Sequence, residues 1–341
     1  MRRRSSLRLL AGLIGIVALA GPGAAQDTAA PDIAASPPAT NAVQLDQQQA
    51  ETLRTGTDPD ERMTVGVNIG GSGPYRFIVD TGAERTVISA ELARTLALQP
   101  GRLTTVHSMT EVSDIATVVI PLLRVGNRNV ADIHAPALAR AHLGASGILG
   151  VDSLQNQRVT FDFRRREMTV TPSRQREERW RDGNTVVVTG RSLYGRLVLV
   201  DATFDGQRIW VILDTGSEVS VGNAALRAAL VRRNRLRTIA PIRMVSITGG
   251  EMTAEYAMAQ RIRIGGLDIN NLPVAFADVH PFRQLGLNNR PALLLGMDAL
   301  QLFDRVSIDF PNRRVRVLID DGAMLLAPTR IAGAGLPRTA R

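Results

Sequence analysis

The chain has 341 residues, of which 44% are hydrophobic and 21% charged, with a formal net charge of +9 and no Cys. That is enough apolar material for two domains, each with its own core, while the lack of Cys excludes disulfides and thiolate metal sites. Every one of the 41 basic residues is Arg. We read this as composition bias rather than selection for polyanions, and predict no nucleic-acid partner.

Arg2, Arg3, Arg4 and Arg8 form a basic start, Leu9 to Ala20 is an apolar run, and Gly23-Ala24-Ala25 offers small residues for cleavage before Gln26. This pattern predicts a secretory signal over residues 1–25. The run is short for a bilayer span and Pro22 follows it, so no stable membrane span is expected after cleavage. Export of a Cys-free chain points to a bacterial periplasm. Residues 26–57, rich in Ala, Gln, Pro, Thr and Asp without an apolar period, read as a flexible tether, with order beginning near Met63.

A first domain is expected over 58–170. Thr64 to Ile69 alternates apolar with small or polar residues, Gly70 to Gly73 turns the chain, and Tyr75 to Val79 is a strand that stops at Asp80. Ser89 is placed to cap a short helix through Glu91 to Ala97. Leu103 to Met109 and Ile115 to Val125 read as strands flanking a candidate flap with its tip at Met109-Thr110-Glu111. Ile148-Leu149-Gly150-Val151-Asp152 and a strand from Arg158 to Phe163 complete the unit.

Residues 171–184 mix charges without an apolar stripe and read as a linker. The landmarks then recur over 185–322, before a tail at 323–341. A hairpin with Asp205-Gly206 at its turn leads into Trp210-Val211-Ile212-Leu213-Asp214-Thr215-Gly216. Asn223 is placed to cap Ala224 to Val231, and a second flap tip falls at Thr248-Gly249-Gly250. Its two glycines predict a more mobile turn than the first tip. Leu294-Leu295-Gly296-Met297-Asp298 and Arg305 to Phe310 repeat the last two features.

Each Asp-Thr-Gly turn sets a carboxylate at the mouth of a buried strand, and two such units packed face to face would bring Asp80 and Asp214 together. Adjacent carboxylates cannot both ionise cheaply, so they share a proton and act as acid and base at once; aspartic proteases are the standard example. Thr81 and Thr215 supply hydroxyls to brace the turns, while Gly82 and Gly216 allow close backbone approach. Strand-end turns without chemistry are the plain alternative.

On these repeated turns, the two apolar-apolar-Gly motifs and their order, the chain resembles the retropepsin-like aspartic proteases, as a bacterial secreted member with two protease repeats. The resemblance implies a mostly β fold of two closed, barrel-like lobes with short helices, forming an intramolecular pseudo-dimer. It further implies an aspartic endopeptidase that cleaves extended polypeptide in the cell envelope through an Asp80/Asp214 dyad. Glu84 and Glu218 match positions where family members carry an acid near the substrate main chain, with surface salt-bridging equally open. Met109, Thr110, Thr248, Gly249 and Gly250 are the flap candidates for substrate contact. No metal or cofactor is expected, since His107, His134, His142 and His280 lack metal spacing. Two alternatives stay open: repeats that pair between chains, and an exported peptide-binding module without catalysis.

Overall fold

The computed structural model describes residues 8–11, 50–58, 62–154, 157–174, 184–193 and 196–319. Within them the chain is mostly β, with two closed six-stranded barrels in tandem and a few short helices. In the first lobe the ring runs Met63–Ile69, Ser72–Val79, Gly147–Leu149, Val87–Ser89, Arg128–Leu138 and Val112–Val125, which pairs back to the first strand. In the second it runs Arg196–Phe204, Gln207–Leu213, Ala292–Leu295, Val221–Gly222, Leu267–Phe276 and Glu251–Ile264, which closes in the same way.

The apolar runs that end at each Asp are continuous rather than alternating because those strands are covered on both faces. Phe77 and Val79 point into the main core while Ile78 joins a smaller cluster on the opposite side. Val211, Leu213 and Ile212 divide between two cores in the same manner. Each run pairs in parallel with the strand before a Gly, Val79 opposite Leu149 and Leu213 opposite Leu295. Full burial of each such side chain contributes about 1.5–3 kcal/mol, so these central strands are rigid supports for the two Asp-bearing turns.

A six-stranded antiparallel sheet joins the lobes, in the order Asn184–Leu193, Arg314–Ile319, Arg305–Asp309, Gln157–Asp162, Glu167–Pro172 and Glu51–Arg54. At its centre Thr160 Oγ1 donates to Ser307 Oγ at 2.8 Å, linking equivalent strands of the two repeats. The Asp205-Gly206 turn has positive φ at both residues, as a two-residue hairpin requires. Ser89 and Asn223 cap the helices Ala90–Thr95 and Ala224–Arg232 as expected.

Two boundaries fall differently from the expectation. Ordered chain begins before Met63: Glu51–Arg54 and Gly56–Thr57, assigned to the tether, pair with Glu167–Pro172 and Met63–Ile69. Arg62 is buried, its Nε and Nη2 both donating to Asp58 Oδ2 at 2.8 and 2.6 Å, and Nη2 also donates to Leu143 O at 2.7 Å, fixing the entry to the first lobe. The linker is also shorter than predicted, because Thr171 and Pro172 still belong to a strand and Asn184 opens the next. Within the predicted signal, Arg8–Ala11 lies as a strand parallel to Arg243–Ser246. The rest of the signal, the tether up to residue 49 and the tail at 323–341 lie outside the described residues. Among the described residues no helix is long and apolar enough to cross a membrane.

Candidate active site

Asp80 and Asp214 cap the two central strands, and each is pinned by its backbone before its side chain does anything. Asp80 N donates to Leu149 O at 3.1 Å, and Asp214 N donates to Leu295 O at 3.0 Å. Behind the turns the apolar-apolar-Gly motifs thread through, with Val151 N donating to Ala83 O and Met297 N to Ser217 O, both at 2.8 Å. Gly150 and Gly296 lie so close to the turn backbones at Arg85–Thr86 and Val219 that a Cβ has no room.

The two turns face each other and interlock. Thr81 N donates to Thr215 Oγ1 at 3.0 Å and Thr215 N to Thr81 Oγ1 at 3.2 Å. The hydroxyls in turn donate across the interface, Thr81 to Leu213 O at 3.1 Å and Thr215 to Val79 O at 2.7 Å. Asp80 Oδ1 accepts from Gly82 N at 2.7 Å and Ala83 N at 3.0 Å, and Asp214 Oδ1 accepts from Gly216 N at 3.0 Å. A Cβ added to Gly82 would lie 2.7 Å from Asp214 Oδ1 and 3.1 Å from Asp80 Oδ1, so both carboxylates converge on one glycine. One added to Gly216 would fall on the Asp80 carboxyl group. Both Asp residues are completely buried.

Beneath the dyad sits a second matched pair of carboxylates. Asp152 accepts from Thr86 N and Thr86 Oγ1, and Asp298 accepts from Ser220 N at 2.9 Å and Ser220 Oγ at 2.7 Å. The same hydroxyls accept from Gly150 N and Gly296 N at 3.2 and 3.1 Å. Burial pushes the Asp298 carboxyl up to about 6 against these hydrogen bonds, and burial raises Asp152 as well.

Over the dyad the hairpins Gln99–His107/Val112–Val125 and Thr238–Ser246/Glu251–Ile264 bring their tips into contact. Thr110 Oγ1 donates to Ser246 Oγ and Thr248 Oγ1 to Ser108 Oγ, each at 3.0 Å. Gly249 sits at φ +90 with the His142 ring beside it, and Gly250 packs against Thr110. Of the predicted flap residues, Met109, Thr110, Thr248, Gly249 and Gly250 therefore all gather at the tips. Glu84 meets the other lobe, accepting from Gln284 Nε2 at 3.0 Å, while Glu218 uses its carbonyl to accept from Asp298 N at 3.0 Å.

Three flap residues lie outside the sequence prediction: Ser108, Ser246 and Ile247. The signal for them is a second internal match, Ser108-Met109-Thr110 against Ser246-Ile247-Thr248, one position out of step with the tip alignment based on the glycines. Among the described residues no group of three or more His, Asp or Glu is arranged to hold a metal ion.

Comparison with known families agrees with the two-repeat organisation. Residues 65–156 match the family described as gag-polyprotein putative aspartyl protease, and residues 200–299 match the family described as aspartyl protease. No curated protein matches the chain.

Proposed function

Because this chain belongs to the retropepsin-like aspartyl proteases, with two repeats in one chain, we propose that it is an endopeptidase whose two Asp-Thr-Gly turns form one catalytic dyad. Asp80 and Asp214 share a proton. The ionised member takes a proton from a water, which attacks the scissile carbonyl carbon, while the protonated member hydrogen-bonds to the carbonyl oxygen. Collapse of the tetrahedral intermediate returns a proton to the departing amine and leaves a carboxylic acid and a free amine. Gly82 and Gly216 leave the space the reacting groups need, and Thr81 and Thr215 hold the two turns in register.

The observation that carries this reading is the convergence of both carboxylates on Gly82, at 2.7 and 3.1 Å from one point. A binding module without chemistry has no use for two carboxylates held so close, since their mutual repulsion only costs stability. The interlocked Thr81 and Thr215 belong to one chain, which favours an intramolecular pseudo-dimer over repeats that pair between chains. The substrate is an extended polypeptide, which the flaps suit because a strand laid beside a hairpin gains main-chain hydrogen bonds. The basic, apolar and small-residue sequence of residues 1–25 supports export and work in the cell envelope, in a periplasm.

The test is cleavage of a diverse peptide library by the chain from Gln26 onward, beside the Asp80→Asn and Asp214→Asn variants. Each Asn keeps the side-chain oxygen that accepts the turn N–H groups, so the fold survives while the acid-base pair is lost. Cleavage by the parent and by neither variant supports the shared dyad. Activity retained in one variant overturns it.

A further inference from the structure

The flap tips do more than meet: each crosses to the opposite lobe and buries an apolar side chain there. Met109, on the first lobe's flap and 2% exposed, packs in the second lobe's cluster with Ile212, Val219, Tyr256 and Phe282. Ile247, on the second lobe's flap and fully buried, packs in the first lobe's cluster with Ile78, Ala83, Leu143 and Ile148. Ala83 and Val219 belong to the two Asp-bearing turns and their immediate continuation, so each plug sits against the wall of the site. Both Asp residues are sealed from solvent beneath them.

The crossing is locked by hydroxyls. Ser108, Thr110, Ser246 and Thr248 form a closed ring, with edges of 3.5, 3.0, 2.7 and 3.0 Å in the order Ser108–Thr110, Thr110–Ser246, Ser246–Thr248 and Thr248–Ser108. Two of those edges run between lobes. His280 N also donates to Met109 O at 3.1 Å, which ties the first flap to the second lobe's backbone. Hydroxyl pairs of this kind give little net free energy each, so the ring selects the closed register while Met109 and Ile247 supply the apolar gain.

We propose that Met109 and Ile247 are specificity-determining plugs, which fill in the free protein the two apolar pockets that substrate side chains take when they bind. The proposal rests on the peptidase reading above. It implies a substrate with an apolar side chain for each pocket, and a free enzyme that spends most of its time closed. Its apparent affinity is reduced by the fraction of molecules that are open. A polar peptide cannot displace the plugs, because it returns nothing for the apolar surface they give up.

The experiment measures two things on the chain from Gln26 onward and on its variants. One is amide hydrogen exchange at residues 105–113 and 244–252; the other is binding of a statine-containing hexapeptide with Leu side chains, whose hydroxyl stands in for the attacking water. Met109→Ala and Ile247→Ala are expected to speed exchange at both tips and to tighten binding about tenfold, by removing the closed-state penalty. Met109→Leu, which keeps the volume and the apolar surface, should leave amide exchange at both tips close to that of the parent. Thr110→Val with Thr248→Val breaks the ring without changing shape, and should speed exchange even if the alanine variants fold poorly. Faster exchange with unchanged or weaker binding overturns the plug proposal and leaves the peptidase reading standing. Absence of binding by parent and variants, together with no cleavage of the peptide library, overturns the peptidase reading and the plugs with it.

Discussion

Thr81 and Thr215 hold each other reciprocally: each backbone N–H donates to the other's hydroxyl oxygen, at 3.0 and 3.2 Å, and each hydroxyl donates to a carbonyl of the opposite lobe. All of these groups are buried. Removing one hydroxyl orphans a buried N–H and a buried carbonyl, at about 1–3 kcal/mol for each group left unsatisfied. Thr81→Val and Thr215→Val are therefore expected to destabilise the chain by a few kcal/mol each in urea unfolding, while Thr→Ser at either site costs far less. The double Val variant should lose about as much as the two singles together, because each change orphans its own pair of backbone groups, Thr215 N and Leu213 O for Thr81, and Thr81 N and Val79 O for Thr215. A loss well short of that sum would show that breaking one half of the interlock already releases the other.

Gly216 faces the Asp80 carboxyl group with no space for a methyl, and Gly82 leaves 2.7 Å between an added Cβ and Asp214 Oδ1. Gly216→Ala must therefore push the carboxylates apart, and Gly82→Ala need shift its neighbour only slightly. The expected result is loss of peptide cleavage by more than a hundredfold in Gly216→Ala, about 3 kcal/mol in transition-state stabilisation, and a smaller loss in Gly82→Ala. Equal activity in the two alanine variants would contradict this ordering.

Two helix caps that look alike in the sequence should differ in weight. Ser89 Oγ accepts one bond, from Leu92 N at 3.2 Å. Asn223, fully buried, accepts from Leu226 N and Ala292 N and donates to Leu287 O and Arg290 O, at 2.7–3.1 Å. It satisfies a helix start and a neighbouring loop together. Ser89→Ala is expected to cost about 1 kcal/mol. Asn223→Ala should cost about 3 kcal/mol or more, since four buried backbone groups lose their partner. Thermal or denaturant unfolding of the pair gives the comparison directly.

The frame was legible in the sequence because its strongest features are local. Phe77 to Asp80 and Trp210 to Asp214 announce strands buried on both faces, the caps are adjacent to the helices they start, and the Asp205-Gly206 turn needs only its own two residues. What connects distant segments was not. Glu51–Arg54 is a short polar-looking strand that exists because Glu167–Pro172 offers it an edge. Arg62 belongs to no motif of the sequence, yet it is buried, bonded to Asp58 and to the distant Leu143 O. Ile247 is one apolar residue at the end of a hairpin, and only the packing of one lobe's flap on the other lobe reveals what it fills. In each case the partner lies far along the chain or out of reach of any periodic pattern, and local propensity carries no information about it.

A carboxylate under the site makes stability respond to acid in an unusual direction. Asp298 is half-buried, and desolvation by its packed surroundings raises it from 3.8 to about 6 although Ser220 donates to it twice. Between pH 4 and 6 the folded chain therefore keeps a proton on Asp298 that the unfolded chain has released. Folding is favoured by acid across that window, and the contribution falls as pH rises from 4 to 6, then stays flat above it. The full swing is about 3 kcal/mol, at about 1.4 kcal/mol per unit. Asp268 works in the opposite sense: hydrogen bonds from Arg261 and Arg263 hold it below its ordinary value, so its contribution is lost only below about pH 4. Asp298→Asn can accept from Ser220 N and donate to Ser220 Oγ, which preserves the contact and removes the titration. The stability difference between parent and Asp298→Asn, measured by urea unfolding at pH 4.5 and pH 7, should shift in the parent's favour by about 2 kcal/mol at the lower pH. Titrations common to both chains cancel in that difference, so a value independent of pH would mean that Asp298 is ionised in the folded protein throughout.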